Sequence, residues 1–139
     1  MKVFLDTNII LDFLEQRGDH TLYAATIFQL GIDKEIDLFV TDLSIVNVVY
    51  ILRKTFGKQR MYEILQVLRK FVTVIDIGEE VIDEAIAMKG KDFEDVVQFM
   101  AAKKKSMECI ITRNKKDFSE SRVPVYTPED FLLRLNKSI

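Results

Sequence analysis

The sequence has a single cysteine and a single histidine among its 139 residues. The lone Cys109 excludes an internal disulfide and a thiolate zinc site. It lies in an apolar run typical of a buried strand, so we expect a core residue. The lone His20 excludes histidine-rich metal motifs, disfavours a Ser-His-Asp triad, and is expected to be solvated at a helix start. Acid–base or metal chemistry must therefore depend on carboxylates.

Long apolar runs, a leader segment and a strong net charge are also lacking. No stretch approaches the ~20 apolar residues that span a bilayer, and Asp6 comes too early for a signal peptide. We therefore expect a soluble, cytoplasmic protein with no membrane contact. The net charge of −2 does not favour a passive nucleic-acid-binding protein, because phosphate neutralisation dominates such affinity. It does not exclude a nuclease, whose acids are partly neutralised by bound cations.

The composition is 48% hydrophobic and 30% charged, a balance typical of a globular chain. No repeat or linker divides it, so we predict one domain over residues 1–139. Short β-rich runs alternate with stretches whose apolar residues recur every three or four positions. The predicted strands are 2–5, 37–40, 72–75, 108–112 and 123–126. This alternation predicts an α/β fold of three layers, α/β/α, around a parallel sheet of about five strands. The first and fourth runs have the continuous apolar character of central strands.

Several residues have the chemistry of helix starts. Asn8 can cap the helix after the first strand, and Thr41 or Asp42 can cap the helix after the second. Thr127 followed by Pro128 marks the start of the last helix. Four phenylalanines are expected in the core rather than as platforms for bases: Phe71, Phe93, Phe99 and Phe118.

Acidic residues follow or precede the strands expected at the sheet centre. Asp6 follows the first strand, Asp92, Glu94 and Asp95 open the helix before the fourth, and Asp117 comes after it. Ligands of such sheets bind at the carboxyl ends of the strands. A carboxylate at the end of a buried strand needs a cation or hydrogen bonds to compensate its desolvation. The alternative for Asp6 is a helix-capping role.

Structural alternatives exist for the other acids as well. Asp92 has the position of a helix cap, with Asp95 three residues on. Glu94 is about 100° around the helix from Asp95 and is expected to be solvated rather than a ligand. Asn114 and Asp117 could cap and close an ordinary turn.

Basic residues concentrate in the C-terminal half. Lys103–Lys105 is expected to be a solvated helix end, which the helix dipole favours. Arg113, Lys115 and Lys116 lie beside the predicted acids and are candidates for contact with a phosphate group.

Three stretches in this order resemble motifs of the PIN-domain family, especially VapC-like toxin ribonucleases: Phe4–Asp12, Asp95–Ala102 and Ile111–Phe118. The resemblance covers essentially the whole chain. It implies a PIN-like α/β/α fold whose acids hold Mg²⁺ or Mn²⁺ for phosphodiester hydrolysis of RNA. It also implies the toxin of a toxin–antitoxin pair, with a small antitoxin as partner and a homodimer as the typical assembly.

By the same resemblance, Asp6 matches the first acid of the family and Asp95 the third. The fourth falls at Asn114 or Asp117, and Thr112 matches a hydroxyl at a strand end. The second acid is usually a Glu three residues after a Ser, but this chain has Ser44 and then Asn47. The implied residues are catalytic Asp6, Asp95 and Asp117, metal ligands Asp6, Asp92, Asp95 and Asp117, and supporting Thr7, Asn8, Ser44, Asn47, Thr112 and Asn114.

Asn47 leaves two functional hypotheses open. A neutral side chain weakens a site for hard cations, which favour carboxylate oxygens. Either Asp92 supplies the missing charge to a working ribonuclease, or the chain is a weakened or non-catalytic nucleic-acid-binding module. A receiver-like or phosphatase-like domain, in which an aspartate at a strand end is phosphorylated, fits the spacing less well.

Overall fold

A computed structural model describes residues 1–136, and a parallel sheet forms the centre of the fold. Its strands are β1 (Lys2–Leu5), β2 (Asp37–Thr41), β3 (Val72–Ile75), β4 (Cys109–Ile111) and β5 (Val125–Tyr126). Their order is β3-β2-β1-β4-β5, and each neighbouring pair is parallel. The predicted five-stranded parallel sheet is confirmed, with β1 at its centre and β4 between two other strands.

Helices cover both faces of this sheet. They are α1 (Thr7–Leu14), α2 (Asp19–Ile32), α3 (Asp42–Phe56), α4 (Lys58–Leu68), α5 (Gly78–Met88), α6 (Phe93–Lys104) and α7 (Pro128–Arg134), with a 3₁₀ helix at Lys115–Phe118. Because strand side chains alternate between faces, Val3 and Leu5 join a core with α1 to α4 and α7, whereas Phe4 joins a core with α5 and α6. The three predicted layers are confirmed. None of the helices within residues 1–136 is long and apolar enough to cross a membrane.

Three of the helix caps that the sequence predicted are present, and one is provided by a different residue. Thr41, Asp92 and Thr127 accept hydrogen bonds from the first turns of α3, α6 and α7. The expectation that Asn8 caps α1 is wrong, because Asp6 is the cap and its Oδ1 accepts from the Thr7 N–H at 2.8 Å. The chain leaves β1 directly into the helix, which places Asn8 inside the first turn.

Two backbone features set boundaries of elements away from the site. The run 123–126 yields a strand only from Val125, because Pro124 has no N–H for the ladder and the N–H of Val123 donates to Ser121 Oγ at 3.1 Å. Gly57 separates α3 from α4 with a φ of +81°, a conformation that side chains disfavour. Neither change moves the carboxyl ends of the central strands.

Most of the residues expected in the core are there. Phe99 and Phe118 are buried and pack edge-on, with ring centroids 6.1 Å apart, and Phe71, partly buried, packs against Phe28. Cys109 is buried in β4, where burial and Glu108 raise the pKa of its thiol to about 12 and keep it protonated.

Phe93 departs from this pattern. It is 49% exposed, so the expectation of a core residue is wrong. It is the first residue of α6 and is not part of the core that α5 and α6 form with Phe4. His20, at the start of α2, is exposed as expected.

Candidate functional site

Asp6 lies at the carboxyl end of the central strand and is only 6% exposed. Its Oδ1 accepts a hydrogen bond from the Thr7 N–H, and its Oδ2 accepts one from Thr112 Oγ1 at 2.7 Å. Burial raises the pKa of Asp6, and these two hydrogen bonds oppose the rise without cancelling it. The capping role and a role in the site are therefore compatible for this residue.

Asp95 is in the first turn of α6 and is partly buried. Burial, followed by the charges of Asp6, Asp92, Asp117 and Glu94, raises the pKa of Asp95 to about 7. Its carboxylate accepts no hydrogen bond within residues 1–136, although its N–H donates to Asp92 Oδ1 at 3.1 Å. The predicted cap at Asp92 is present, and it leaves the carboxylate of Asp95 available.

The segment after β4 supplies the opposite side of the site. Thr112 is fully buried, and its Oγ1 both donates to Asp6 and accepts from the Asn114 N–H at 3.0 Å. Asp117 is exposed on the 3₁₀ helix, and its charge raises the pKa of Asp6 and of Asp95. Asn114 directly precedes this short helix, and its carbonyl accepts from the Asp117 N–H at 2.9 Å, so the predicted turn is present, although the side chain of Asn114 makes no capping hydrogen bond.

A buried network of neutral groups joins the helices beneath the acids. Ser44 Oγ lies 2.7 Å from Thr7 Oγ1 and accepts from Gln98 Nε2 at 2.9 Å. Thr41 Oγ1 donates to Gln98 Oε1 at 2.9 Å and accepts from the Ser44 N–H. Gln98 was missed by sequence reasoning, although its position three residues after Asp95 on the same helix face was a usable signal. These contacts fix α1, α3 and α6 relative to one another.

Asn47, on α3, contacts α6. Its Nδ2 donates to Glu94 Oε1 at 2.8 Å. Glu94 is exposed, as expected, and its charge adds to burial in raising the pKa of both Asp6 and Asp95.

A second buried aspartate, Asp12 on α1, binds the basic residue that follows Thr112. Arg113 Nε donates to Asp12 Oδ2 at 2.6 Å and Nη2 donates to Oδ1 at 3.2 Å. No local pattern signals this pair, since its members are separated by 101 residues. Two of the donors of Arg113 are thus engaged, whereas Lys115 and Lys116 are exposed.

Asn8, in the first turn of α1, carries a buried Oδ1 atom that has no hydrogen-bond partner within the described chain. Buried oxygens of this kind are normally satisfied by a donor, an ordered water or an ion. Asn8 thus places an acceptor without a described donor directly after Asp6 and Thr7.

The donor chemistry of the site fits a hard divalent cation. Asp6, Glu94, Asp95 and Asp117 form no ion pair with lysine or arginine in residues 1–136. No three acidic, cysteine or histidine side chains of that range converge tightly enough to enclose an ion. Mg²⁺ does not need such a cage, because it keeps several waters and uses one or two carboxylates. The residues therefore suit an open, hydrated cation site rather than a closed one.

An apolar groove of about 520 Å³ borders the acids. It is lined by Leu43, Ile77, Gly78, Ile82, Phe93, Glu94 and Val97. Glu94 belongs to the groove and to the acidic rim, so the two surfaces are continuous.

Comparison with known proteins finds a matching family model and a relative similar over nearly the whole chain. The family model described as "PIN domain" matches residues 2–116. The chain is 31% identical to Ribonuclease VapC1 of Aquifex aeolicus (strain VF5) over 140 residues, covering 97% of this chain and 96% of the relative.

Solved structures share the same fold. A toxin–antitoxin complex from Klebsiella pneumoniae gives a TM-score of 0.68 at 20% identity, over 91% of this chain and 97% of the other. VapBC2 from Rickettsia felis, bound to a DNA fragment from its promoter, gives 0.70 at 15% identity, over 91% and 98%. At these identities the likeness establishes the three-layer fold.

Proposed function

The chain belongs to the PIN-domain family, and from this membership we propose that it is a metal-dependent endoribonuclease, the toxin of a toxin–antitoxin pair. The observation that carries the proposal is the group of acids without counter-ions at the carboxyl ends of β1 and β4. The full-length alignment with a protein named as a ribonuclease supports RNA as the substrate.

Asp6 and Asp95 would hold Mg²⁺ or Mn²⁺, and Asp117 faces them from the segment after β4. When bound, such a cation polarises a phosphate oxygen and lowers the pKa of a bound water. Thr7 and Thr112 fix the orientation of the Asp6 carboxylate by donating to its two oxygens.

Asp92 and Asp117 were both candidates for orienting the attacking water. Asp92 Oδ1 is engaged as the cap of α6, whereas Asp117 accepts no hydrogen bond within the described residues. Asp117 is therefore the better candidate. Asp92 contributes charge, since it raises the pKa of Asp95.

Lys115 and Lys116 are the exposed cations nearest to Asp117 in sequence and would contact the phosphate backbone. Arg113, which the sequence also suggested, is held by Asp12 through two hydrogen bonds. Any contact of Arg113 with a phosphate would therefore use the N–H groups that Asp12 leaves free, on Nη1 and Nη2.

The non-catalytic alternative rests on Asn47, which brings no charge to the site. In that case RNA would bind without cleavage, and the cation would be absent or structural. Cleavage assays separate the two functions directly.

We extend the proposal to a small antitoxin partner and a homodimer. Exposed apolar side chains on neighbouring helices offer surface for such contacts: Val46 and Tyr50 on α3, and Tyr62 and Val67 on α4, each more than half exposed. Size measurement with and without a co-expressed antitoxin tests this extension.

The experiment that tests the activity is RNA cleavage in Mg²⁺ by the wild-type protein and by Asp95→Asn. We expect the variant to lose about a hundredfold or more of the rate, because a catalytic cation supplies several kcal/mol. Chelation with EDTA should abolish the wild-type activity. Equal cleavage by both proteins, or cleavage that persists in EDTA, would contradict the proposal, and RNA binding without cleavage would favour the alternative.

A further inference from the structure

Four elements border the open acidic site, and three of them contribute carboxylates that the sequence predicted. β1 provides Asp6, α6 provides Asp95 and the 3₁₀ helix after β4 provides Asp117. The fourth element, α3, provides only the neutral Asn47. That side chain is nevertheless directed at α6, since its Nδ2 donates to Glu94 Oε1 at 2.8 Å.

Glu94 is the carboxylate that Asn47 holds, and it is not committed elsewhere. It forms no ion pair with lysine or arginine in the described residues, and its Oε2 accepts no hydrogen bond there. It directly precedes Asp95 in the first turn of α6. Asn47, which holds it, shares a face of α3 with Ser44, whose Oγ lies 2.7 Å from Oγ1 of Thr7, the neighbour of Asp6. An exposed glutamate without these contacts would be free to rotate into solvent, with a rotamer entropy that opposes any fixed position.

We propose that Glu94 is a further carboxylate of the divalent-cation site, supplied by α6 in place of α3, and that Asn47 is its positioning residue. This inference rests on the proposed metal-dependent function. Asn47 suits the role because an amide donates to a carboxylate, whereas a second carboxylate at that distance would repel it. The neutral residue on α3 is therefore not a lost ligand, since the charge lies on the neighbouring helix.

The chain offers a matched control for Glu94. Glu94 is the second residue of α6 after the cap Asp92, and Glu129 is the second residue of α7 after the cap Thr127. Both side chains are exposed in a first helical turn, so both interact with a helix dipole. Glu129 is absent from the charges that perturb Asp6 or Asp95.

Calorimetric titration of Mn²⁺ into the metal-free protein tests the proposal without measuring cleavage. Glu94→Gln keeps an acceptor for Asn47 but removes the charge, and we expect it to weaken Mn²⁺ binding about tenfold or more, as loss of groups around a metal typically does. Glu129→Gln should bind like the wild type. The shift in thermal midpoint on adding Mn²⁺ should fall in parallel.

An isosteric exchange tests the pairing itself. Asn47→Asp combined with Glu94→Gln moves the charge from α6 to α3 and reverses the direction of the hydrogen bond. We expect the double variant to recover most of the affinity lost in Glu94→Gln. A double variant as weak as the single one would contradict the claim that these two residues share one role.

Failure of this inference can be told from failure of the function. If Asp95→Asn loses Mn²⁺ binding and Glu94→Gln retains it fully, the Glu94 assignment is wrong and the metal-dependent function stands. If the wild-type protein binds no Mn²⁺, both are wrong.

Discussion

Two buried aspartates lie six positions apart at the start of the chain, and their surroundings differ in one respect. Asp12, 1% exposed, is bound by the guanidinium of Arg113 and has Arg17 at 3.8 Å. Asp6, 6% exposed, receives hydrogen bonds within residues 1–136 only from the neutral Thr7 and Thr112. A buried carboxylate is stable when a cation compensates its desolvation. Asp12 has such a cation beside it, whereas no lysine or arginine of the described chain forms an ion pair with Asp6.

The difference indicates what each residue is for. The pair of Asp12 with Arg113 ties α1 to the segment after β4, which holds Thr112 in place beside Asp6. Asp6 and Asp95 instead lie near Asp117 and Glu94, and burial, followed by the charges of neighbouring acids, raises the pKa of both. Charge that is left uncompensated at the ends of central strands is typical of a site for an added cation.

Removing the cation of the compensated aspartate should have the largest effect on stability. Arg113→Met leaves the charge of Asp12 buried, and we expect a loss of about 3 kcal/mol in the free energy of unfolding. Urea unfolding measures it. Arg122→Met is the matched control, because Arg122 is exposed and makes no hydrogen bond or ion pair within residues 1–136. A loss no larger than that of the control would mean that Asp12 does not depend on Arg113.

Neutralising the uncompensated aspartate should have a smaller effect of opposite sign. Asp6→Asn removes a desolvated charge but weakens one hydrogen bond worth about 1 kcal/mol. For the metal-free protein we therefore expect no loss of stability, or a gain below about 1 kcal/mol. The same urea unfolding curves report it. A clear loss would show that Asp6 is a structural residue like Asp12.

The stability of the metal-free protein should also depend on pH through Asp95. Because the pKa of Asp95 is about 7 in the folded protein and 3.8 for the free side chain, the native state binds more protons between these values. Stability therefore falls as the pH rises from 4 to 7 and levels off above. Subtracting the unfolding free energy of Asp95→Asn from that of the wild-type protein at each pH isolates the contribution of Asp95. A difference that stays constant or grows with pH would contradict the raised pKa.

Local chemistry made much of the fold predictable. The boundaries of β1 and β3 agree with the apolar runs, and the caps Thr41, Asp92 and Thr127 follow from side chains that bond to nearby N–H groups. Whether Asp6 or Asn8 caps α1 was harder to predict, because both residue types can cap a helix and only the exact end of β1 decides between them.

Long-range contacts explain what the sequence left undetermined. The pairing of Asp12 with Arg113 and of Asn47 with Glu94 joins residues 101 and 47 positions apart. The helical position of Glu94 predicted exposure correctly, but exposure did not exclude a contact with α3. Phe93 was predicted to be a core residue from its apolar character alone. Only the packing of α6 shows that it lies outside the core.

Titration of Mn²⁺ into the metal-free wild-type protein and into Asp6→Asn tests the central claim most directly. If Asp6 is left uncompensated to hold a cation, the wild type binds Mn²⁺ and the variant, still folded by its urea transition, binds it much more weakly. Equal binding by the two proteins, or no binding by the wild type, would contradict the claim that the difference between Asp6 and Asp12 serves a metal site.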